Sequence, residues 1–124
     1  MNESILKTIK KLIGCAEDYT QFDVDIILHI NTAFSTLNHL GVGPQNGYRI
    51  SDESNTWDEF ETDPTKLGLI KDYIYLKVKL LFDPPSSSSF LENAEKQLKE
   101  MEWRLYMMYD PITLDEEEDD EDDV

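Results

Sequence analysis

The side chains that most often carry out chemistry are few in this sequence and are widely spaced. His29 and His39 lie ten residues apart, which separates them by about 15 Å along a helix. Two imidazoles at that distance cannot bind one metal ion, and the sequence contains no HExxH, CxxC or phosphate-loop pattern. Cys15 is the only cysteine, so no disulfide can form within the chain. We therefore predict no metal site.

Carboxylates are abundant, with 27 Asp and Glu residues against 11 Lys and Arg residues. Their positions predict solvated helix surfaces rather than a paired acid and base. No spacing suggests a Ser–His–Asp arrangement either. We predict that the protein is not an enzyme and that it has no catalytic residue and no cofactor. Binding to other proteins is the class of function that remains.

The net charge of −16 is distributed unevenly along the chain. The segment DEEEDDEDD, residues 115–123, contains nine acids and no base, and without these nine charges residues 1–114 still carry −7. A nucleic acid backbone is bound by clustered Lys and Arg, so a chain of this charge is expected to repel DNA or to imitate it. We predict one domain over residues 1–110 and a disordered acidic tail over residues 111–124.

Two features argue against an association with membranes. No apolar run reaches the roughly 20 residues that a membrane-spanning helix needs. Lysines interrupt the apolar positions of the opening residues, MNESILKTIKKLIG, which therefore lack the form of a signal peptide. A single cysteine is typical of a protein made in a reducing compartment, and we expect synthesis in a cytoplasm.

Apolar residues recur at the helical period in four segments, which predicts an all-α fold, a small bundle of about four helices. The segments begin near residues 5, 22, 64 and 90 and end near residues 13, 40, 82 and 108. Lys7, Lys10 and Lys11 are predicted on the solvent face of the first helix. The third segment has the widest apolar arc, so we expect its helix to be the central one.

Local signals support the starts and stops of these helices. Asp63 and Pro64 are typical of an N-cap and a first helical position. The proline pair at 84–85 ends the third helix and forces a turn. Ser89 and Glu92 match a capping box for the fourth helix. Two long helices joined by so short a turn are expected to form an antiparallel hairpin.

The connection between the second and third helices, residues 41–63, is long for a compact domain and is therefore expected to be functional or disordered. Only residues 47–50, GYRI, could pair in a small hairpin. Trp57 and Phe60 could start a short helical turn. With Tyr48 they argue against full disorder, because aromatic side chains need cover. The sequence leaves open whether this loop is a surface connection or a docking element.

The stretch WRLYMMY, residues 103–109, contains residue types that are enriched at protein interfaces. Trp103, Tyr106, Met107 and Tyr109 lie partly outside the apolar period of the fourth helix. They could pack against the first helix or bind a partner, and the sequence does not choose between these alternatives.

Several stretches together resemble the head–tail connector proteins of tailed bacteriophages, also called head-completion or portal adaptor proteins. These stretches are INTAFSTLNHLGVGP, the tryptophan of the long loop, YIYLKVKLLFDPP and MEWRLY, within residues 1–109. The versions in phages and prophages of low-GC Gram-positive bacteria are the most similar. The family has no catalytic motif, so the resemblance lies in core and turn residues.

The resemblance implies a structural protein of the virion. Its copies would form a homo-oligomeric ring, commonly a dodecamer, between the portal protein and the stopper or tail-completion protein. Such a ring extends the channel, through which DNA passes without specific binding, and it completes the head after packaging. The protein would lie in the virion neck and be made in the cytoplasm of the bacterial host.

The resemblance also suggests residues that meet neighbouring subunits or partners, in the loop and near the end of the fourth helix. Combined with the aromatic residues that composition selects, the predicted interface comprises Gly41, Gly43, Pro44, Tyr48, Trp57, Phe60, Trp103, Arg104, Tyr106, Met107 and Tyr109.

The main alternative is an acidic DNA mimic or a regulatory binding protein of a phage or prophage. A mimic needs acids arrayed on one ordered surface, whereas nine of the acids here lie in residues 115–123. A regulator would act as a monomer or dimer and would never enter a virion.

Overall fold

The computed structural model describes residues 3–109, and within that range the fold is all-α, as the sequence predicts. Four α-helices follow one another in the chain, with a short 3₁₀ helix before the third. They are α1 (Ile5–Leu12), α2 (Asp23–His39), the 3₁₀ helix (Trp57–Glu59), α3 (Pro64–Phe82) and α4 (Ser88–Tyr109). The predicted acidic tail, residues 111–124, lies outside the described residues.

The starts of two helices follow from single side chains. The Ser4 hydroxyl accepts a hydrogen bond from the Lys7 amide, and the Asp63 carboxylate accepts one from the Thr65 amide at 3.0 Å. Each bond satisfies an amide that has no partner inside its own helix. Pro64 occupies the first turn of α3, where its missing N–H costs nothing. The predicted start of α3 is confirmed.

Helix α3 is the central element, because it packs against each of the other three helices. Its buried side chains are Leu67, Ile70, Tyr73, Ile74 and Val78. The prediction of a central third helix is confirmed, although Leu81 near its end is 43% exposed rather than buried. α2 and α4 pack on α3, and α1 contacts both α2 and α3.

Helix α4 is held mainly by α3 and buries only Leu98 and Leu105 of its 22 residues. The predicted capping box of Ser89 and Glu92 is wrong, because the helix already begins at Ser88. The Leu91 amide donates to the Ser87 carbonyl at 3.1 Å. Four consecutive serines offer several possible starts, and the chain uses an earlier one.

The long loop contains no hairpin, so the predicted strand pairing of GYRI, residues 47–50, is wrong. The Ile50 amide donates to Asn31 Oδ1 at 2.8 Å, and Asn31 Nδ2 donates to the Ile50 carbonyl at 3.0 Å. The buried Asn31 side chain on α2 thus takes both backbone groups that a neighbouring strand would have paired. Within residues 3–109 the only bridge of β type is the isolated one between Ser4 and Thr56.

Lys10 does not lie on the solvent face of α1, where the sequence predicts it. Its side chain is 2% exposed, and its ammonium donates to the carbonyls of Glu17 and Tyr19 at 2.9 and 2.8 Å. Asp23, at the start of α2, completes the site with an ion pair at 2.8 Å. A buried ammonium requires such partners. Lys10 therefore fixes the connection between α1 and α2.

Trp57 is completely buried and joins the loop to the helices. Its ring N–H donates to the Thr8 hydroxyl on α1 at 3.1 Å, and the Lys71 ammonium of α3 lies 5.4 Å from the ring centroid. Its backbone amide donates to the Glu3 carbonyl at 3.2 Å. The indole is part of the core, which explains why the loop follows a fixed path.

We predict that truncating the two tryptophans to alanine changes the stability of the fold by very different amounts. Trp57→Ala should lower the free energy of unfolding by about 3–5 kcal/mol, because it empties a core site. Trp103→Ala, which removes an exposed indole, should change it by no more than about 0.5 kcal/mol. Urea unfolding followed by circular dichroism measures both. Equal losses in the two variants would contradict the placement of Trp57.

Candidate functional site

The structure divides the eleven predicted interface residues into two groups with different roles. The loop group is Gly41, Gly43, Pro44, Tyr48, Trp57 and Phe60, and the α4 group is Trp103, Arg104, Tyr106, Met107 and Tyr109. In the loop group, Trp57 and Phe60 are buried in the subunit. Their side chains therefore stabilise the fold and do not present a contact surface.

The aromatic side chains of the loop pack together against α2. Ring centroids of Phe34 and Tyr48 lie 5.1 Å apart, and those of Phe34 and Phe60 lie 4.7 Å apart. Tyr48 and Phe60 complete the triangle at 5.7 Å. Gly43 lies under the Phe60 ring with φ +91°, and a Cβ atom added there would overlap that ring. Gly43 is therefore required for packing within the subunit.

Tyrosine hydroxyls bonded to glutamates tie the elements to one another. Tyr48 donates to Glu59 at 2.6 Å within the loop, and Tyr109, at the end of α4, donates to Glu61. Lys66 lies over the Tyr109 ring at 4.6 Å. The C-terminal end of α4 is thereby attached to the segment that precedes α3, so Tyr109 has an internal role.

These hydrogen bonds shift the pKa values of both partners. Burial, and then the bond to a glutamate, raises the pKa of Tyr48 and of Tyr109. The bond from Tyr48 lowers the pKa of Glu59. Partial burial acts to raise the pKa of Glu61, but the bond from Tyr109 and two backbone amides hold it below its usual value. Each bond thus favours a neutral tyrosine beside an ionised glutamate.

The outer side of α4 carries most of the residues that the sequence analysis predicts at an interface near the end of this helix. Trp103 is 60% exposed and Tyr106 is 39% exposed, with ring centroids 6.0 Å apart. Arg104 is exposed and pairs with Glu100 at 2.7 Å, one helical turn earlier. Met107 is half-buried. Exposed aromatic rings beside charged residues are typical of a surface that binds protein.

A second apolar surface, on α2, is missing from the sequence prediction. Val24 is 78% exposed and Leu28 is 57% exposed, one helical turn apart. The helical period could have located them, since both fall opposite the buried Ile26 and Ile30. Asp25 lies beside them on the exposed side.

Residues 3–109 contain neither a cluster of metal ligands nor a membrane-spanning helix. No group of three or more His, Cys, Asp or Glu side chains in this range could hold a metal ion. No helix among these residues is long and apolar enough to cross a membrane. The exposed apolar side chains of α4 and α2 are the features of residues 3–109 that suggest binding to protein.

The sequence model of the family described as phage connector protein matches residues 5–111. The chain belongs to this family. No curated protein and no solved structure gives a significant match. The predicted resemblance to head–tail connectors is confirmed, and the protein is a structural connector of a bacteriophage.

We predict that the two glycines of the connector at the start of its loop differ in their tolerance of a methyl group. Both have a positive φ, but a Cβ atom at Gly41 meets nothing within 4 Å, whereas at Gly43 it meets the Phe60 ring. Gly43→Ala should therefore cost about 1–3 kcal/mol more than Gly41→Ala, the extra cost being overpacking. Thermal unfolding of the two variants measures the difference, and equal costs would contradict this packing.

We predict that the stability of the connector falls on both sides of a plateau in pH. A glutamate whose pKa is lowered in the folded state stabilises the fold at pH values above its unfolded pKa of about 4.3. That stabilisation is lost as the pH falls through the lowered pKa. A tyrosine whose pKa is raised in the folded state stabilises the fold at pH values below its unfolded pKa of about 10. That stabilisation is lost as the pH rises through the raised pKa. Urea unfolding at a series of pH values measures the loss of stability at low pH and at high pH.

The double variant Tyr48→Phe with Tyr109→Phe should lose less stability at low pH and at high pH, because it lacks the hydroxyls that donate to Glu59 and Glu61. Tyr75→Phe is the matched control, since the Tyr75 hydroxyl accepts from the Lys79 ammonium, whereas the Tyr48 and Tyr109 hydroxyls donate to carboxylates. An unchanged pH profile in the double variant would show that these bonds do not set it.

Proposed function

We propose that this connector forms a homo-oligomeric ring between the portal and the stopper or tail-completion protein of a tailed phage. The ring extends the DNA channel and completes the head after packaging. The observation that carries this proposal is the family match over residues 5–111. The ring size that we expect is the dodecamer, and the location is the virion neck.

The surface chemistry of the described residues supports a role in assembly. Val24 and Leu28 on α2 and Trp103 on α4 are large apolar side chains that are each more than half exposed. One subunit therefore has enough apolar surface to meet more than one neighbour. A ring needs two different contact surfaces on every subunit, one for each adjacent copy.

The charge of the chain supports free passage of DNA. Residues 1–114 have a net charge of −7, and residues 115–123 add nine acids. A wall of this sign repels the phosphate backbone, whereas clustered bases would retain it. DNA can then move through the channel in either direction without being held.

The interface residues divide accordingly in this proposal. Trp103, Arg104, Tyr106 and Met107 form contacts with neighbouring subunits or partners. In the loop, Gly41 is exposed and Pro44 half-buried, so the loop offers a second contact. The buried aromatic residues beneath it give that contact a fixed shape.

We predict that purified virions contain this chain at low copy, in a number equal to that of the portal subunit. Quantitative mass spectrometry of virions and of infected cells measures this. A major capsid peptide and a non-virion phage enzyme serve as high and zero references. If the chain is abundant in cells but missing from virions, the connector ring is wrong and the acidic DNA mimic or regulator becomes the better reading.

A further inference from the structure

Helix α4 presents an exposed face that points away from the core. Trp103 comes five residues after the buried Leu98 and two before the buried Leu105, which places it roughly 140–160° around the helix from both. Tyr106 is partly exposed beside it, and Lys99 lies one turn earlier on the exposed side. We call this surface the α4 face.

Helix α2 presents a second face of different character. Leu28 comes two residues after the buried Ile26 and two before the buried Ile30, so it points roughly 160° away from both around the helix. Val24 lies one turn before it, and both side chains are more than half exposed. With Asp25 they form what we call the α2 face.

The two faces belong to parts of the chain with different charge. Residues 3–63, which include α2, contain four bases and eleven acids. Residues 64–109, which form the α3–α4 hairpin, contain seven bases and six acids. If residues 3–63 of one copy met residues 3–63 of another, the two acidic segments would repel each other. Contact between the α3–α4 hairpin of one copy and residues 3–63 of another has no such repulsion. Two α2 faces would therefore repel each other, and an α2 face pairs more favourably with an α4 face.

We propose that the α4 face of one copy docks on the α2 face of the next copy. The aromatic rings of Trp103 and Tyr106 cover the aliphatic side chains of Val24 and Leu28, and Lys99 approaches the acidic half of the neighbour. This pairing rests on the proposed ring and specifies its subunit contact. Because the two surfaces differ, each copy keeps one of each available, and the contact repeats until the ring closes.

The test is cross-linking in virions made with full-length variants supplied to a phage that lacks the gene. Cys15 is first replaced by Ser. Thr32→Cys, one turn after Leu28, and Lys96→Cys, two turns before Trp103, then place thiols at the edges of the two faces without removing a residue that the contact uses. A short bifunctional maleimide should give a ladder of dimers, trimers and larger products from the double variant. Each single variant should remain monomeric.

The outcomes separate this contact from the ring itself. Virions that hold the double variant at normal copy number but give no ladder would overturn the pairing and leave the ring standing. A dimer from either single variant would also overturn it, because like surfaces would then meet. Absence of the wild-type chain from virions would overturn the ring.

A second comparison uses matched aromatic residues on α4. Trp103→Ala should lower incorporation into virions by about tenfold or more, as loss of a central aromatic contact does. Phe90→Ala is the control, because Phe90 is 70% exposed at the start of the same helix but lies outside the α4 face. Circular dichroism checks that both variants fold. Normal incorporation of Trp103→Ala would overturn the pairing.

Discussion

The burial of the Trp57 indole is the contact that holds α1, the long loop and α3 together. An isolated helix of eight residues, such as α1, is not stable in water. α1 persists because Ile5 and Ile9 are buried and because the loop binds its start, with the Ile5 amide donating to the Asn55 carbonyl at 3.0 Å. The indole fixes that part of the loop in place. The long connection is thus a structural layer of the core.

The helices could be predicted from the sequence because their information is local. Apolar period, the Asp63–Pro64 start and the proline pair at 84–85 each act within a few residues. The position of Trp57 could not be predicted, since a loop has no period and its contacts come from distant residues. The position of Lys10 could not be predicted for a related reason. Its charge predicts a solvent-exposed side chain, yet two carbonyls and Asp23 enclose its ammonium.

The surface position of Trp103 could be predicted from residue type and not from geometry. The composition of residues 103–109 indicates an interface, and Trp103 is indeed on the surface. The same composition argument fails for Tyr109, whose hydroxyl bonds Glu61 inside the subunit. Val24 and Leu28 fall opposite the buried Ile26 and Ile30, so the helical period already separates them from the core side of α2. The fold adds that no other part of residues 3–109 covers them, since both side chains are more than half exposed.

The order of synthesis gives the Trp57 contact a consequence for how each copy matures. The hydrogen bond from Trp57 to Thr8 spans 49 residues, so α1 leaves the ribosome well before its indole partner exists. The α3–α4 hairpin, by contrast, closes over a short turn as soon as it is made, because local contacts form first. α1 is therefore the first element synthesised, and it reaches its final packing only after the chain has been extended through the loop to Trp57.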